Sequence, residues 1–380
     1  MNIEQCRWTE QKGWEPYQPG AMGEFAEIIF LFGSTRAIQN NNLLDSIRKS
    51  YSNAHLFSCS TAGEIYGTQV TDDSIVATAV GFDETHTVAR HARITKGKTT
   101  YQIGRDLGDG LDKTNLAHLL VLSDGLNVNG SELVAGLTEG LPVHVTVTGG
   151  LAGDGDRFRE TYVLEDGIAK RDAVSVIGLY GTKLKVGCGS VGGWDPFGPE
   201  RLITRSSGNI LYEFDGKSAL ELYKKYLGEY AKNLPASGLL FPLCLRPRNP
   251  GDPGVVRTIL SVSEEEQSMT FAGDVPEGSY ARLMMANFDR LIDGACNAAQ
   301  NALITMSSGL PELAILISCV GRKLVLQQRV EEELEGVQNI LGTQSILTGF
   351  YSYGEISPFS GRGKCELHNQ TMTVTTLSEK

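Results

Sequence analysis

The chain has 380 residues, a net charge of −11, and 21% charged against 41% hydrophobic residues. That length exceeds one ordinary core and predicts a globular protein of two or more domains, while the acidic balance argues against a nucleic-acid or anionic-membrane surface. Seven scattered cysteines without a C-x-x-C pair, an acidic N-terminus and no long apolar run argue against a disulfide framework, a zinc knuckle, a signal peptide and membrane insertion. A reduced, cytoplasmic chain is expected.

In chain order, "EIIFLFG" (27–33) reads as a buried strand, "NNNLLDSIRKSY" (40–51) as a helix and "AHLFSCS" (54–60) as a second strand. "AHLLVLSDG" (117–125), "GSELVAGLTEGL" (130–141) and "PVHVTVTGG" (142–150) repeat the order strand, helix, strand, which implies parallel pairing in part of each sheet. From residue 161 the pattern turns to hairpins around Asp166-Gly167. "ALELYKKYLGEYAKNLP" (219–235) reads as an amphipathic helix stopping at Pro235, and a proline-rich loop follows at 246–254. Next come a strand at 256–263, a helical region at 281–308, a strand at 313–321 and a helix from Gln327 to Leu341. The segments 345–356 and 371–377 close the chain as strands. The fold class is α/β, two domains with mixed parallel and antiparallel sheets flanked by helices.

One unit is reused. "CSTAGEI" (59–65), "GGLAGDG" (149–155) and "GFYSYGEI" (349–356) each follow a strand, carry Gly and then a carboxylate, and lead to an alternating strand. Strand ends of this kind frame a crevice in open α/β sheets.

The residues that could carry chemistry are few. "GCGSVGG" (187–193) matches G-x-G-x-x-G, but "WDPFGP" follows and no phosphate-binding helix can begin there. No serine-hydrolase elbow, H-E-x-x-H, Walker A run or EF-hand loop occurs. Glu64, Asp154 and Glu355 sit beside glycines at strand exits, as an acid–base set or as acceptors of N–H groups in their own turns. Arg322 could fork onto a ligand carboxylate or onto a turn carboxylate, and Cys319 beside it is a pocket thiol or a buried one. His368, Gln370 and Met372 fall on one face of a strand, opposite Asn369 and Thr371. His368 is then a pocket or iron-ligating imidazole, or a histidine bridging backbone groups.

Together these segments resemble the FIST family, the paired FIST N and FIST C sensory domains. The likeness rests on "HLFSCSTAGEI", "LSDGLNVNG", "VTGGLAGDGDRF", "GGWDPFGP" and "GNILYEFDGKSALELYKKYLG", then on "FAGDVPEGSYARLMMANFDRLIDGA", "SCVGR" and "GFYSYGEISP…LHNQTMTV". It implies an N-terminal extension (1–24), a FIST N domain (25–216) and a FIST C domain with a C-terminal strand (217–380). It further implies a cytoplasmic ligand-sensing protein of signal transduction without a catalytic motif. Stand-alone bacterial members of this kind, the NosP type, are haemoproteins that sense nitric oxide and regulate a partner histidine kinase. Carried over by motif, His368 is the haem-iron or pocket histidine, with Glu355, Arg322, Cys319, Tyr353 and Asn369 as ligand-binding companions. His55, His86, His91, His118 and His144 are rival axial ligands. The alternatives are a haem-free sensor of a small polar metabolite such as an amino acid, with Arg322 and Glu355 clasping it, and an enzyme pairing Cys319 with His368.

Overall fold

In the computed structural model, residues 1–247, 254–358 and 365–379 are described. Most of the proline-rich loop expected at 246–254 therefore lies outside the described residues.

Three copies of one α/β unit build the ring of the molecule. Each has an outer strand, a parallel pair joined through a helix, a short hairpin and a return strand antiparallel to the first strand of the pair. In the first unit the pair is Ile28–Gly33 with His55–Ser60, and the return strand is Ser74–Gly81. In the second it is Leu116–Ser123 with Thr146–Leu151, returning through Ala173–Tyr180. In the third it is Leu313–Cys319 with Ile346–Ser352, returning through Met372–Ser378. The outer strands, each antiparallel to its return strand, are Asn2–Thr9, His86–Arg93 and Lys185–Val191. Asn2–Thr9 and Gly13–Glu15, both ahead of position 25, thus belong to the first sheet.

The first strand of each parallel pair reads as a nearly continuous apolar run because both of its faces are covered. Phe30 and Phe32, Leu120 and Leu122, and Ile315 and Ile317 occupy matching positions and meet in one central core. Their alternates turn outward, Ile29 and Leu31 packing with Leu44 and Ile47 of the helix Asn41–Ser50. That helix starts where the Asn40 side chain accepts the Leu43 N–H.

The hairpins are exchanged around the ring. The first unit's hairpin (Glu64–Tyr66, Gln69–Thr71) pairs with the third unit's Ile346–Ser352, and the second unit's (Val163–Glu165, Ile168–Lys170) with the first unit's His55–Ser60. The third unit's (Gly354–Pro358, Cys365–His368) pairs with the second unit's Thr146–Leu151. Three bonds complete the cycle at the strand ends: Ala62 N–H to Tyr351 O (2.8 Å), Gly153 N–H to Ser60 O (2.9 Å) and Tyr353 N–H to Leu151 O (3.2 Å).

Between the third unit's outer strand and its first helix, Phe288–Met306, an eight-stranded sheet is inserted, with its own core around Phe214, Tyr223, Leu243, Ile259 and Phe271. It begins with Trp194–Ser207 and ends with Tyr280–Ala286.

Several expected boundaries shift. The helical region at 281–308 is first the strand Tyr280–Ala286 and only then a helix, which Asn287 caps through the Arg290 N–H. The strand expected to reach 321 stops at Cys319, and Val320–Leu326 is helix. The helix at 219 stops at Leu227, before the positive φ of Gly228, well short of Pro235. Val191 ends a strand where a phosphate loop would open a helix, so "GCGSVGG" stays extended. No described helix is long and apolar enough to cross a membrane.

Candidate functional site

Three adjoining recesses form one crevice at the carboxyl ends of the parallel strands, with volumes of about 590, 370 and 100 Å³ and Asp73 common to all. Each unit contributes to it. The first gives Ser34, Thr35 and Thr61, the second Arg157 and Asp156, the third Lys323. Lys323 lies in the helix that follows Cys319; its ammonium donates to Ala62 O (2.9 Å), pairs with Asp72 and lies 5.8 Å from the centre of the Tyr351 ring. Gly63 permits this approach, since a Cβ there would stand 2.5 Å from the Lys323 nitrogen on a backbone with φ +140°.

Arg157 donates through Nε to Asp154 Oδ1 (3.0 Å), which also accepts from Thr35 Oγ1 (2.6 Å). Burial opposes ionisation of Asp154, but these bonds outweigh it and hold the carboxyl below its ordinary range. The Arg157 side chain is half exposed, and no hydrogen bond among the described residues uses its Nη1. Two cations and the carboxylates of Asp72, Asp73 and Asp156 thus surround one solvent-open space.

The residues chosen from sequence lie mostly beneath this crevice. Tyr353 stacks on Phe158 (4.3 Å), accepts the Phe158 N–H (3.2 Å) and donates to Gly155 O (3.1 Å), fastening the loop that carries Arg157. Asn369 donates to Tyr353 O (3.1 Å) and accepts from Thr258 N–H (3.3 Å). Arg322 is fully buried and donates to Glu333 Oε2 (3.0 and 2.7 Å), Gly192 O (2.9 Å) and Leu291 O (2.6 Å), while Ser318 and Tyr351 occupy Glu333 Oε1. Its fork is spent on an internal carboxylate, and not on one of the turn carboxylates. Burial pushes the Cys319 thiol well above its usual value.

His368 donates through Nε2 to Ser357 O (3.0 Å); burial lowers its pKa to about 4, so the ring is neutral. The expected row of His368, Gln370 and Met372 on one strand face does not form. The strand ends at His368, Gln370 takes φ +65°, and the next strand begins at Met372. Of the other histidines, His118 is held between Thr146 (2.7 Å) and Thr148 (2.9 Å), and His86 stacks on Tyr180 (4.9 Å).

The repeated carboxylates act as brackets. Glu64 accepts from Thr61 Oγ1 (2.5 Å) and from N–H (3.1 Å) and Oγ (2.6 Å) of Ser74, the first residue of its return strand. Glu355 does the same with Ser352 Oγ (2.6 Å) and with N–H (3.1 Å) and Oγ1 (3.0 Å) of Thr371. In the second unit Asp124, with Thr161 (2.9 Å) and the Asp172 N–H (3.3 Å), takes that place, which releases Asp154 to the crevice.

Sequence reasoning missed Arg157, Lys323, Asp72 and Asp73. Both cations adjoin residues it did select, Arg157 in "GDGDRF" and Lys323 beside Arg322. A helix starting at Val320 turns residues 322 and 323 about 100° apart. Arg322 then faces the core while Lys323 faces out.

Residues 27–217 match the FIST N domain and residues 219–358 the FIST C domain, in that order. The chain belongs to the FIST family. FIST domains are associated with sensory signal transduction. An uncharacterized protein, MJ1623 of Methanocaldococcus jannaschii, is 24% identical over 341 residues, which cover 83% of this chain and 64% of that protein. The chain therefore spans less than two thirds of that relative's length. A chorismatase crystal structure aligns over 99% of this chain and 98% of its own at a TM-score of 0.35 and 9% identity.

Proposed function

We propose that this FIST chain is a sensor whose strand-end crevice binds a small zwitterionic metabolite of the amino-acid type and reports it to a signalling partner such as a histidine kinase. The observation behind this reading is that Arg157, Lys323, Asp72 and Asp73 together line one open recess of about 590 Å³. That volume lies within the ~300–1,000 Å³ of small-molecule sites. Arg157 and Lys323 take the ligand carboxylate, and the aspartates its ammonium. Tyr353, Asn369 and Glu355 keep the loop and strand ends in place, and the neutral, buried His368 closes the hairpin. The buried Cys319 thiol, far from ionising, gives no support to a nucleophilic enzyme.

A thermal-shift screen against the amino acids tests the reading, because a ligand that binds only the folded chain raises its melting temperature. At least one amino acid should stabilise the parent, and Arg157→Ala should weaken that binding by about tenfold or more through loss of a charge-assisted bond. A complete panel without a shift, or an undiminished shift in both Arg157→Ala and Lys323→Ala, would defeat it.

Haem fits poorly at His368, a buried imidazole whose Nε2 is engaged with Ser357 O. Reconstitution that gave a Soret band, moved by nitric oxide and lost in His368→Ala, would reinstate the haem reading.

A further inference from the structure

Every outer strand of the ring has a far edge, and the three edges are finished differently. In the first unit a further strand, Gly13–Glu15, pairs antiparallel with Arg7, Trp8 and Thr9 of the outer strand Asn2–Thr9. Its Glu15 stands directly opposite Arg7 and forms an ion pair with it (3.5 Å). In the third unit the helix Phe288–Met306 supplies the cover: Thr305 Oγ1 accepts the Cys188 N–H (2.8 Å) and lies 3.0 Å from Cys188 O. In the second unit His86–Arg93 is the last strand of its sheet, and among the described residues no hydrogen bond reaches its backbone from beyond that sheet. Burial follows the same division. Cys6 is buried in the first outer strand and Cys188 in the third, whereas every residue of His86–Arg93 is half-buried or exposed beside a wholly buried neighbour, Ala173–Tyr180.

Antiparallel ladders alternate between residues that bond their partner and residues whose N–H and C=O point away. Ile94 N–H bonds Asp172 O (2.8 Å), while Ala173 O turns the other way to the Asp124 N–H (2.8 Å). With Arg93 opposite Ala173, the outward set is Thr87, Ala89, His91 and Arg93. Register places this set within the repeat. Arg7 and Phe32 both pair with Val76, and His91 and Leu122 both pair with Ser175. Phe32 and Leu122 hold matching places, so His91 and Arg93 stand where the first unit has Arg7 and Thr9. Those two bind a short strand; their counterparts bind none among the described residues.

The charge on this edge is of one sign. Residues 86–98, "HTVARHARITKGK", hold Arg90, Arg93, Lys96 and Lys98 and no carboxylate, in a chain of net charge −11. Glu165 answers Arg93 from its hairpin (3.4 Å) and Asp106 answers Lys98 (2.7 Å), but Arg90 is exposed and enters no ion pair among the described residues. A second copy docking edge to edge would set two such rows together, and like charges facing across strands are destabilising. An acidic strand would meet opposite charge, as Glu15 meets Arg7.

We propose that the edge of His86–Arg93 receives an extended acidic segment of a partner protein as one more antiparallel strand, in the manner of Gly13–Glu15 on the first unit. The probe is a fluorescein-labelled heptapeptide, Thr-Glu-Val-Glu-Val-Glu-Thr, with Thr-Lys-Val-Lys-Val-Lys-Thr as its charge-reversed control. Titrated with the full chain at low salt, the acidic peptide should give a saturable rise in anisotropy and the basic one should not. Arg90→Glu should weaken binding by about fivefold or more through charge reversal. Ala89→Pro keeps every charge and removes an outward N–H that the chain's own ladder does not use; it should weaken binding by about tenfold or more. The variants are read only if their melting curves stay cooperative, with His91→Pro as the alternative proline. Arg157→Ala should bind the peptide like the parent, so failure of the crevice reading leaves this test intact. Absence of saturable binding, equal binding of the two peptides, or parent-like binding in a folded proline variant overturns the proposal. So does a dimer in sedimentation that Ala89→Pro dissolves, since a second copy would then hold the edge.

Discussion

Glu64 and Glu355 are buried carboxyls whose pKa burial raises to about 8, against the hydrogen bonds that partly lower it; His118 and His368 are buried imidazoles lowered to about 3 and about 4. The folded chain keeps the glutamate protons after the unfolded chain has released them, so this pair removes stability as pH climbs from 4.5 toward 8. The unfolded histidines gain protons that the folded ones refuse, so that pair removes stability as pH falls below 6.5. Between 4.5 and 6.5 the two pairs oppose each other, and their joint contribution is flat. Above 6.5 only the glutamates remain, each giving a slope of up to about 1.4 kcal/mol per pH unit. Urea unfolding from pH 6.5 to 8 should therefore show a shallower loss of stability in Glu355→Gln than in the parent. An identical slope in Glu355→Gln and Glu64→Gln would remove these groups from the account.

Each parallel pair in the second and third units contains a glycine at the same place. A Cβ on Gly149 would stand 1.8 Å from Val121 O, and one on Gly349 1.8 Å from Leu316 O, with the strands pinned on both sides. Gly349→Ala should thus cost ~3 kcal/mol or more, at the severe end of overpacking, measured as a fall in the denaturant midpoint. A loss below ~1 kcal/mol would mean that the strand spacing relaxes more freely than the pairing implies.

At this scale the sequence was partly legible. The strand–helix–strand order and the reuse of one unit showed in apolar runs and in the Gly-carboxylate repeat, because local periodicity and turn chemistry encode them. The helix at 219 was read too long because only Pro235 was weighed as its stop, and not Gly228. The strand Tyr280–Ala286 was hidden because "YARLMMA" suits a helix as well as a strand, and pairing with Trp194–Ser207 decides between them. For the candidate site, "GDGDRF" contains the crevice residue Arg157 and "SCVGR" stops one residue short of Lys323. Which of two adjacent basic residues faces the crevice depended on where the helix begins.

At the scale of the molecule, neither half of the family pattern is self-sufficient. The boundary between the FIST N and FIST C matches, at 217–219, falls inside the inserted sheet. Cutting there strips the first unit's hairpin of its partner Ile346–Ser352 and the outer strand Lys185–Val191 of its partner Met372–Ser378. Residues 1–217 expressed alone should show no cooperative unfolding transition, because exposed strand edges and the side of the central core covered by Ile315, Ile317 and Phe350 remain open. A sharp calorimetric peak for that fragment would show that the exchanged hairpins are dispensable. Partner choice of this kind is long-range and leaves no periodic trace, so it could not be read from the chain.

The inserted sheet leaves the ring at Trp194 and returns at Ala286, and those two residues sit opposite each other on antiparallel strands. From the ring's side the whole excursion is a closed detour whose mouth is one inter-strand gap, about 5 Å wide. Material can be added or removed beyond that gap without changing the distance the main scaffold must bridge, so the excursion can vary in size while the three-part ring keeps its geometry.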